Sequence, residues 1–356
     1  MNYLIVIPAL NPGDGLIQYV EDLLSGGYKH ILVVDDGSRD GCRYIFDAIA
    51  GKEGCEVLRH EVNMGKGRAL KDAMVRYLSS YAGDGSFGGI ITADSDGQHT
   101  VEDVGKVASA LNESPESLIL GARDFNAGNV PPKSRFGNKC TIVALRLFIG
   151  GSISDTQTGL RGIPDSMIER FSKLSGERFE YETVMLTDAI HGHLPIREVP
   201  IKTVYINNNS ETHFNPIKDS VRIYSVILGT FFRYSLSSLS SFVVDYALFL
   251  GIYHLLTGSG TGTGRAVWLA TASARVCSSL FNYTLNKKVV FRSRRGPVTL
   301  LLYYTLCVTQ AACSAALVNL LGSVSVPVSA AKIIVDCILF VISYRVQKGL
   351  IFKSGQ

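Results

Sequence analysis

The chain has 356 residues, enough for about two domains. Hydrophobic residues make up 46% and charged residues 19% of it, a balance too apolar for an ordinary soluble enzyme, and a net charge of +4 does not indicate a nucleic-acid-binding protein. Seven cysteines without a CxxC pair argue against a disulfide framework and a zinc site. The N-terminus lacks the basic stretch of a signal peptide, so we expect the polar first half to stay in the cytoplasm.

The first two hundred residues alternate short apolar runs with helical patterns. Strands are predicted at 3–7, 30–34 and 55–59 and in the runs GGIITADSD and ESLILGARD, and helices at 14–25, 40–51 and 66–81. This alternation predicts a mostly parallel, doubly wound α/β sheet, whose ligands bind outside the carboxyl ends of the strands. The charged residues at those predicted ends are Asp35, Asp36, Asp94, Asp96, Arg123 and Asp124.

Residues 213–232 are predicted to form an amphipathic juxtamembrane helix. Asn215 suits the N-cap and Pro216 the first helical position, and apolar residues then recur at helical spacing opposite Lys218 and Arg222. We expect this helix to lie at the membrane interface, and an ordinary surface helix is the alternative. The predicted divisions of the chain are therefore 1–212, 213–232 and 233–356.

About four apolar stretches follow, and each has roughly the 20 residues needed to cross a bilayer. They are 233–256, 266–287, 298–321 and 325–347. Basic residues concentrate after the second and fourth stretches, so the positive-inside rule places both termini in the cytoplasm. The segments that start at Phe281 and Ile342 resemble each other with an offset of 61 residues, which indicates two parallel helical hairpins.

Asp94, Ser95 and Asp96 follow a predicted buried strand within DSDGQH. Two carboxylates separated by one residue can hold a hard cation such as Mg²⁺ or Mn²⁺ against a diphosphate, whose charge the metal neutralises as it leaves. Solvated turn acids are the alternative, since this pattern also occurs in loops by chance. His99 is either a ligand or a neighbouring side chain without that role.

Asp35 and Asp36 end the second predicted strand, where a carboxylate can accept hydrogen bonds from a ribose hydroxyl or a base N–H. The alternative is that Asp36 or Ser38 caps the helix near residue 40. Lys66 opens a predicted helix within GKGR, where a basic side chain and backbone N–H groups suit an anion. The motif is not a P-loop, because no Ser or Thr follows the lysine.

Basic residues also cluster after the strand in ESLILGARD. Fixed positive donors suit a phosphate acceptor, and arginine binds phosphate through two donors, with ordinary surface charge as the alternative. The cluster consists of Arg123, Lys133, Arg135 and Lys139. A polar turn follows at Asp155, and one of Glu180 and Glu182 is expected to face the site.

These motifs occur in a characteristic order: IPALN, VVDDGSRD, GKGRAL, ADSDGQH, GARDF, SDTQTGLRG and FEYE. In that order they resemble family 2 glycosyltransferases over roughly residues 1–220. The similarity is greatest to the polyprenyl-phosphate-sugar synthases, the group of dolichol-phosphate mannosyltransferase. The later NYTLNKKVVF and SYRVQKGLIF segments resemble the GtrA-like membrane family, which is associated with moving lipid-linked sugars across membranes.

The resemblance implies a GT-A fold and inverting transfer from a nucleotide-sugar to polyprenyl phosphate, undecaprenyl or dolichyl. Asp94 and Asp96 would bind Mg²⁺ or Mn²⁺ with Gln98, while Arg123 and Arg135 would grip the acceptor phosphate. Because a phosphate monoester is already anionic, charge neutralisation and in-line positioning should dominate catalysis. The expected catalytic residues are Asp94, Asp96, Arg123 and Asp155. The expected substrate-binding residues are Pro8, Asn11, Asp35, Asp36, Lys66, Ser95, Gln98, Arg123, Arg135, Lys139 and Lys202.

Two positions depart from the mannosyl enzymes in this resemblance. The sequence LNP at 10–12 stands where many relatives carry YNE. Thr203 stands where the mannosyl enzymes place an arginine, with Lys202 one residue earlier. Both differences favour UDP-glucose or a related UDP-hexose over GDP-mannose.

Two other functions compete with this interpretation. A processive polysaccharide synthase would carry Gln-x-x-Arg-Trp, but the only tryptophan, Trp268, lies in an apolar stretch. A transporter with a regulatory soluble domain is motivated by Asp245, Arg275 and Asp336 within the predicted spans. A structural Arg–Asp pair between the second and fourth spans is the plainer explanation. We expect a multi-pass protein that contacts the lipid bilayer and no nucleic acid, and leave homo-oligomerisation open.

Overall fold

The computed structural model describes residues 1–83, 85–125, 132–202, 217–323 and 326–353. It divides into two compact units, Met1–Ile227 and Leu228–Gln356. This division falls inside the predicted juxtamembrane segment 213–232, of which residues 213–216 lie outside the described residues.

The first unit is built on a seven-stranded sheet. Its strands are β1 (Asn2–Ala9), β2 (Ile31–Asp35), β3 (Cys55–Arg59), β4 (Phe87–Thr92), β5 (Leu118–Arg123), β6 (Arg161–Pro164) and β7 (Ile196–Ile201). They lie in the order β3-β2-β1-β4-β6-β5-β7, and β6 runs antiparallel to β4 and β5 whereas the other pairs are parallel. The predicted α/β sheet is confirmed as a mixed sheet. The reversed β6 was not predicted, because four residues are too few for a strand pattern.

Helices connect the strands of this sheet. They are α1 (Gly15–Ser25), α2 (Arg43–Ala50), α3 (Lys66–Ser80), α4 (Val101–Glu113), α5 (Pro132–Ala144), α6 (Asp165–Ser172) and α7 (Glu180–His191). The helices predicted at 14–25, 40–51 and 66–81 are confirmed as α1, α2 and α3, with a 3₁₀ turn at Asp40–Cys42 before α2. In α4, the Thr100 side chain accepts a hydrogen bond from the backbone N–H of Asp103, an N-cap that fixes where the helix begins.

The strand register brings the predicted site residues to one edge of the sheet. In the β1–β2 pair, Pro8 lies opposite Val34 and Ala9 opposite Asp35, and in the β1–β4 pair Val6 lies opposite Thr92. Both β1 and β2 are buried almost throughout, as expected for central strands covered by helices on both faces. The order of the strands reverses at β1, because β2 and β3 follow on one side of it and β4 lies on the other. Open α/β sheets bind ligands at such a switch point.

Helices also form the second unit. They are α8 (Lys218–Gly258, which begins in the first unit), α9 (Thr263–Leu285), α10 (Val298–Ser323) and α11 (Val328–Val346). Most described residues of the four predicted apolar stretches are therefore helical. Residues 218–232 are the first turns of α8 rather than a helix with its own ends. Among the described residues, α8 and α10 are long and apolar enough to cross a membrane. Four membrane crossings remain a prediction.

The predicted internal repeat is visible in the second unit. Both α9 and α11 end in a five-residue π-helical turn, Asn286–Val290 and Gln347–Ile351, which are 61 residues apart. The Asn286 amide donates a hydrogen bond to Gln347 Oε1 at 3.0 Å. The equivalent rings of Phe291 and Phe352 stack with centroids 5.5 Å apart. Contacts between equivalent residues are expected near a pseudo-two-fold axis, so the structure supports two related hairpins.

Each hairpin also has a polar contact between its own two helices. In the first, the Asn282 amide of α9 donates to Ser241 of α8 at 2.9 Å. In the second, the Ser343 hydroxyl of α11 donates to Gln310 of α10 at 3.0 Å. Asn282 and Ser343 are again 61 residues apart. Hydrogen bonds of this kind between helices stabilise apolar bundles.

The ion pairs of this unit correct one expectation. Arg275 does not pair with Asp336: its Nη2 lies 3.4 Å from Oδ2 of Asp245 in α8. Asp336 is instead 3.0 Å from the Lys332 ammonium and accepts a hydrogen bond from Ser314 at 2.8 Å. Lys332 lies one helical turn before Asp336 in α11, so the negative charge of Asp336 is compensated within the same helix.

Replacing Asn286 or Gln347 by leucine should destabilise the second unit, because each change removes one hydrogen bond from the buried amide that remains. The Asn286→Leu/Gln347→Leu double variant should lose less than the two single losses together, with a coupling of about 1 kcal/mol. The fluorescence of Trp268, the only tryptophan, reports unfolding of this unit. Ser240→Ala is the control, since Ser240 bonds to its own helix. Additive losses would contradict the pairing.

Candidate active site

A cavity opens at the switch point between β1 and β4. Its lining residues are Pro8, Ala9, Leu10, Asp36, Asn63, Gly65, Lys66, Asp94, Ser95, Asp96, Arg178 and Phe179. Six predicted site residues are therefore brought together: Pro8, Asp36, Lys66, Asp94, Ser95 and Asp96. They come from the ends of β1, β2 and β4 and from the start of α3.

Asp94 is held by two cationic or potentially cationic side chains. The Lys66 ammonium lies 2.6 Å from its Oδ1, and Nε2 of the buried His99 lies 3.3 Å from its Oδ2. Burial alone would raise the pKa of Asp94, but the Lys66 charge and the His99 hydrogen bond outweigh it and hold that pKa well below its usual range. Asp94 is therefore a carboxylate at any physiological pH.

Lys66 also contacts Glu182 of α7, at 3.0 Å from Oε1. Burial would lower the pKa of Lys66, but the charges of Asp94 and Glu182 raise it by more, so the net shift is upward and the ammonium stays protonated. Of the two glutamates expected near the site, Glu182 contacts the lining residue Lys66 but does not itself line the cavity. Glu180 instead accepts hydrogen bonds from the backbone N–H groups of Glu177 and Arg178.

Asp96 has weaker charge compensation than Asp94. Its Oδ1 accepts the backbone N–H of Gln98 at 3.1 Å, while burial and then the neighbouring Asp94 charge raise its pKa. Two carboxylates that repel each other at a cavity wall are a donor set that a hard divalent cation fits. No cluster of three or more His, Cys, Asp or Glu side chains suited to a metal occurs within the described residues.

Asp36 organises the loop that leads into α3. Its carboxylate accepts the backbone N–H groups of Met64 at 2.9 Å and Gly65 at 2.7 Å, and Nδ1 of His60 lies 2.9 Å away. The suggestion that Asp36 caps the helix near residue 40 is wrong, because the groups it holds belong to the chain before α3. A nucleotide-binding role for Asp36 stays a prediction.

The neighbouring predicted residues Asp35 and Asn11 join two loops beside the cavity without lining it. Asp35 Oδ1 accepts the backbone N–H of Ser38 at 2.8 Å. The backbone N–H of Asn11 donates to the Ser38 hydroxyl at 2.8 Å. The side-chain oxygen of Asn11 accepts the backbone N–H of Arg39, also at 2.8 Å. These bonds tie the end of β1 to the end of β2.

Gly65 allows the segment before α7 to reach the cavity. It has φ +107°, and a Cβ there would lie 2.3 Å from the backbone oxygen of Glu177. This close approach places Arg178 and Phe179 in the lining, together with Asn63, whose side chain accepts from Arg178 at 3.4 Å. The sequence interpretation missed all three, although FEYE contains the phenylalanine.

Arg123 and Asp155 form a pair beside the end of β5. The guanidinium donates from Nε to Oδ2 at 2.6 Å and from Nη2 to Oδ1 at 3.0 Å, and the Asp155 side chain is fully buried. The preceding Ser154 is fixed by Glu198 of β7, which accepts both its backbone N–H and its hydroxyl at 2.7 Å. Neither Arg123 nor Asp155 lines the cavity, so their catalytic roles stay predictions.

Two family models match this chain, glycosyl transferase family 2 over residues 4–171 and the GtrA/DPMS transmembrane domain over residues 221–352. An uncharacterized protein of Methanocaldococcus jannaschii is 31% identical over 64% of this chain and 92% of its own length. UDP-N-acetylglucosamine–dolichyl-phosphate N-acetylglucosaminyltransferase of Methanococcus voltae is 28% identical over 56% of this chain and 85% of that protein. Polyprenol monophosphomannose synthase of Mycolicibacterium smegmatis is 26% identical over 56% and 76%.

The chain belongs to glycosyl transferase family 2. The resemblance drawn from its motifs is confirmed, both for the catalytic half and for the GtrA-like membrane half. This family 2 member is a glycosyltransferase and a membrane protein.

Other predicted residues of this glycosyltransferase lie away from the cavity. On α5, Arg135 is half-buried and Lys139 is exposed, while the Lys133 side chain lies outside the described residues. The Lys202 side chain is 77% exposed and 3.7 Å from Glu102. The backbone N–H of Gln98 donates to Asp96 at 3.1 Å. The buried Asn138 of α5 was missed, and its amide fixes the loop of Asp155 by donating to the Ser154 carbonyl at 2.9 Å.

Gly159→Ala should lower transferase activity roughly a hundredfold, because charge stabilisation at an active site carries effects of that order. A Cβ at residue 159 would lie 2.2 Å from Asp94 Oδ2, and Thr92 holds the Gly159 carbonyl at 2.7 Å, so Asp94 must move. Transfer to lipid by purified variants measures the effect. Gly105→Ala is the control, since its Cβ meets only the Tyr28 hydroxyl at 3.5 Å. Full activity of Gly159→Ala would show that the position of Asp94 is unimportant.

Proposed function

We propose that the protein transfers a hexose, with inversion, from a nucleotide-sugar to polyprenyl phosphate and so makes a lipid-linked monosaccharide. The observation that carries this proposal is the cavity that joins Asp36, Lys66, Asp94 and Asp96 at the switch point of the sheet. The names of the Methanococcus voltae and Mycolicibacterium smegmatis relatives, which refer to dolichyl phosphate and polyprenol, support the acceptor.

The cavity suits the donor diphosphate. Asp94 and Asp96 would hold Mg²⁺ or Mn²⁺, with Gln98 as the further predicted ligand. When bound, that metal supplies neutralisation of the negative charge on the leaving nucleotide diphosphate. Lys66 and the lining residue Arg178 add positive charge from the protein itself. Asp36, with Pro8 at the end of β1, is the proposed contact of the nucleoside.

The acceptor phosphate needs positive groups that orient it and no strong base. We assign this task to Arg123, Arg135 and Lys139. Arg123 is held in one orientation by Asp155, which makes it a fixed rather than a mobile donor. A phosphate oxygen attacks the anomeric carbon while the bond from that carbon to the diphosphate oxygen breaks, so in-line positioning carries much of the rate.

The donor and the topology belong to the same proposal. A UDP-hexose such as UDP-glucose is favoured over GDP-mannose, on the basis of the sequence at 10–12 and of Thr203, which lies outside the described residues. The catalytic unit and both termini are proposed to face the cytoplasm. That topology rests on the basic residues after the second and fourth apolar stretches.

The test uses membranes that contain the protein, undecaprenyl phosphate, and UDP-, GDP- and dTDP-sugars in turn. Mass spectrometry of the lipids should show a metal-dependent polyprenyl phosphohexose with one donor class, absent with Asp96→Asn. Folded protein that makes no such lipid with any donor would refute the acceptor.

A transporter of lipid-linked sugar is the second candidate function. It is favoured by the Asp245–Arg275 ion pair and the Asp336–Lys332 pair within apolar helices, because charges in such helices are costly and often functional. Vesicles with intact protein should then move the lipid-linked sugar to the lumenal leaflet. Product that stays on the cytoplasmic leaflet would exclude this second function and leave the transferase proposal untouched.

A further inference from the structure

Lys66 is shared between two carboxylates that lie on different elements. Its ammonium is 2.6 Å from Asp94, at the end of β4, and 3.0 Å from Glu182, on α7, and its side chain is only 16% exposed. The ammonium also lies 5.9 Å from the centre of the Phe179 ring. One buried ammonium therefore contacts two carboxylates, the half-buried Asp94 and the buried Glu182, and only Asp94 belongs to the proposed metal-binding pair.

We infer that Lys66 and the divalent cation compete for Asp94, and that metal binding transfers the lysine ammonium from Asp94 to the donor diphosphate. This inference rests on the proposed function. Glu182 is the positioning residue in it: it holds Lys66 from behind the cavity wall without itself lining the cavity. The consequence is that metal and donor bind in a coupled way through one side chain.

The charges around Asp94 favour such an exchange. An ammonium and a divalent metal are alternative partners for the same carboxylate oxygen, and Asp94 has one oxygen beside Lys66 and the other beside His99. When a metal takes Asp94, Lys66 keeps Glu182 as a partner, so the ammonium remains at the cavity. Metal and lysine then bring two positive groups to a ligand whose diphosphate carries negative charge.

The first step is tested by measuring Mn²⁺ binding in the absence of donor. Electron paramagnetic resonance reports this binding on the full-length protein in detergent. Lys66→Met should bind Mn²⁺ about tenfold more tightly than wild type, because the competing cation is gone; a charge-assisted hydrogen bond is worth at least that factor. Glu182→Gln should bind it more weakly, because Lys66 is then committed to Asp94. Lys71→Met, which removes a buried lysine of α3 that contacts Glu177, should leave Mn²⁺ binding unchanged.

The double variant separates exchange from simple electrostatics. In the Lys66→Met background, Glu182→Gln should have less than a twofold effect on Mn²⁺ binding, because Glu182 acts through the lysine. Independent charge effects would instead add. This variant also removes both members of the buried Lys66–Glu182 pair, which guards against misfolding caused by an unpaired Glu182. Additive effects, or a Lys66→Met variant with unchanged Mn²⁺ affinity, would overturn the inference.

UDP binding by calorimetry with saturating Mn²⁺ tests the second step. Lys66→Met should bind UDP about tenfold more weakly, the opposite sign to its effect on Mn²⁺ alone. Equal UDP affinity of Lys66→Met and wild type would overturn this step. Wild-type protein that binds no Mn²⁺, with or without UDP, would instead refute the metal role in the proposed function.

Discussion

Asp96→Asn should lower sugar transfer by roughly a hundred- to a thousandfold, the loss expected when charge stabilisation at a reacting centre is removed. The change keeps the shape of the side chain and still allows its oxygen to accept the Gln98 backbone N–H. It removes one of the two negative charges proposed to hold the metal. The fold should persist, because burial and Asp94 already disfavour the charged form of Asp96 and raise its pKa.

The matched control is Asp165→Asn, at the exposed start of α6 and outside the cavity lining. Its transfer rate should stay within twofold of wild type. Rates are measured with radiolabelled donor as the Mn²⁺ concentration is raised to saturation. A loss that disappears at high Mn²⁺ reflects weakened metal binding, and a loss that persists reflects lost catalysis. If Asp96→Asn transfers sugar at the same rate as the control, Asp96 has no role in the active site.

The residues at strand ends could be predicted from the sequence because their signal is local. A buried apolar run marks a strand, and the polar residues that end it must lie at the edge of the sheet. This reasoning found Asp36, Asp94 and Asp96, and the structure brings them to one cavity. The helices of the second unit could also be predicted, because long apolar stretches and two similar segments offset by 61 residues are visible in the sequence itself.

Partners that come from distant segments could not be predicted in this way. Glu182 reaches Lys66 because the chain before α7 packs against Gly65, a contact that depends on tertiary structure. The Arg275–Asp245 pair was likewise misassigned, because helical spacing does not say which neighbouring helix an arginine faces. Lys202 was chosen from a resemblance to a nearby arginine position, and the structure places its side chain beside Glu102 instead.

Asp155→Asn should destabilise the first unit by roughly 3–5 kcal/mol, the cost of breaking a buried ion pair by removing one charge. Asp155 is fully buried and takes both guanidinium bonds of Arg123, as well as the backbone N–H of Gln157 at 3.1 Å. An amide can accept only one of the Arg123 bonds, and the change removes the negative charge that faces the arginine. Hydrogen exchange of the β5 amides, read by mass spectrometry, measures the change in the free energy of local opening.

The chain offers a control with the same geometry and different burial. Arg170 also binds Asp188 through two donors, at 2.6 and 3.2 Å, but on the surface, where the arginine side chain is 46% exposed. Asp188→Asn should therefore cost less than about 1 kcal/mol. Equal effects of the two variants would show that burial does not set the strength of the Asp155 pair. If Asp155→Asn keeps its stability but loses transfer, the main task of Asp155 is to orient Arg123 rather than to stabilise the fold.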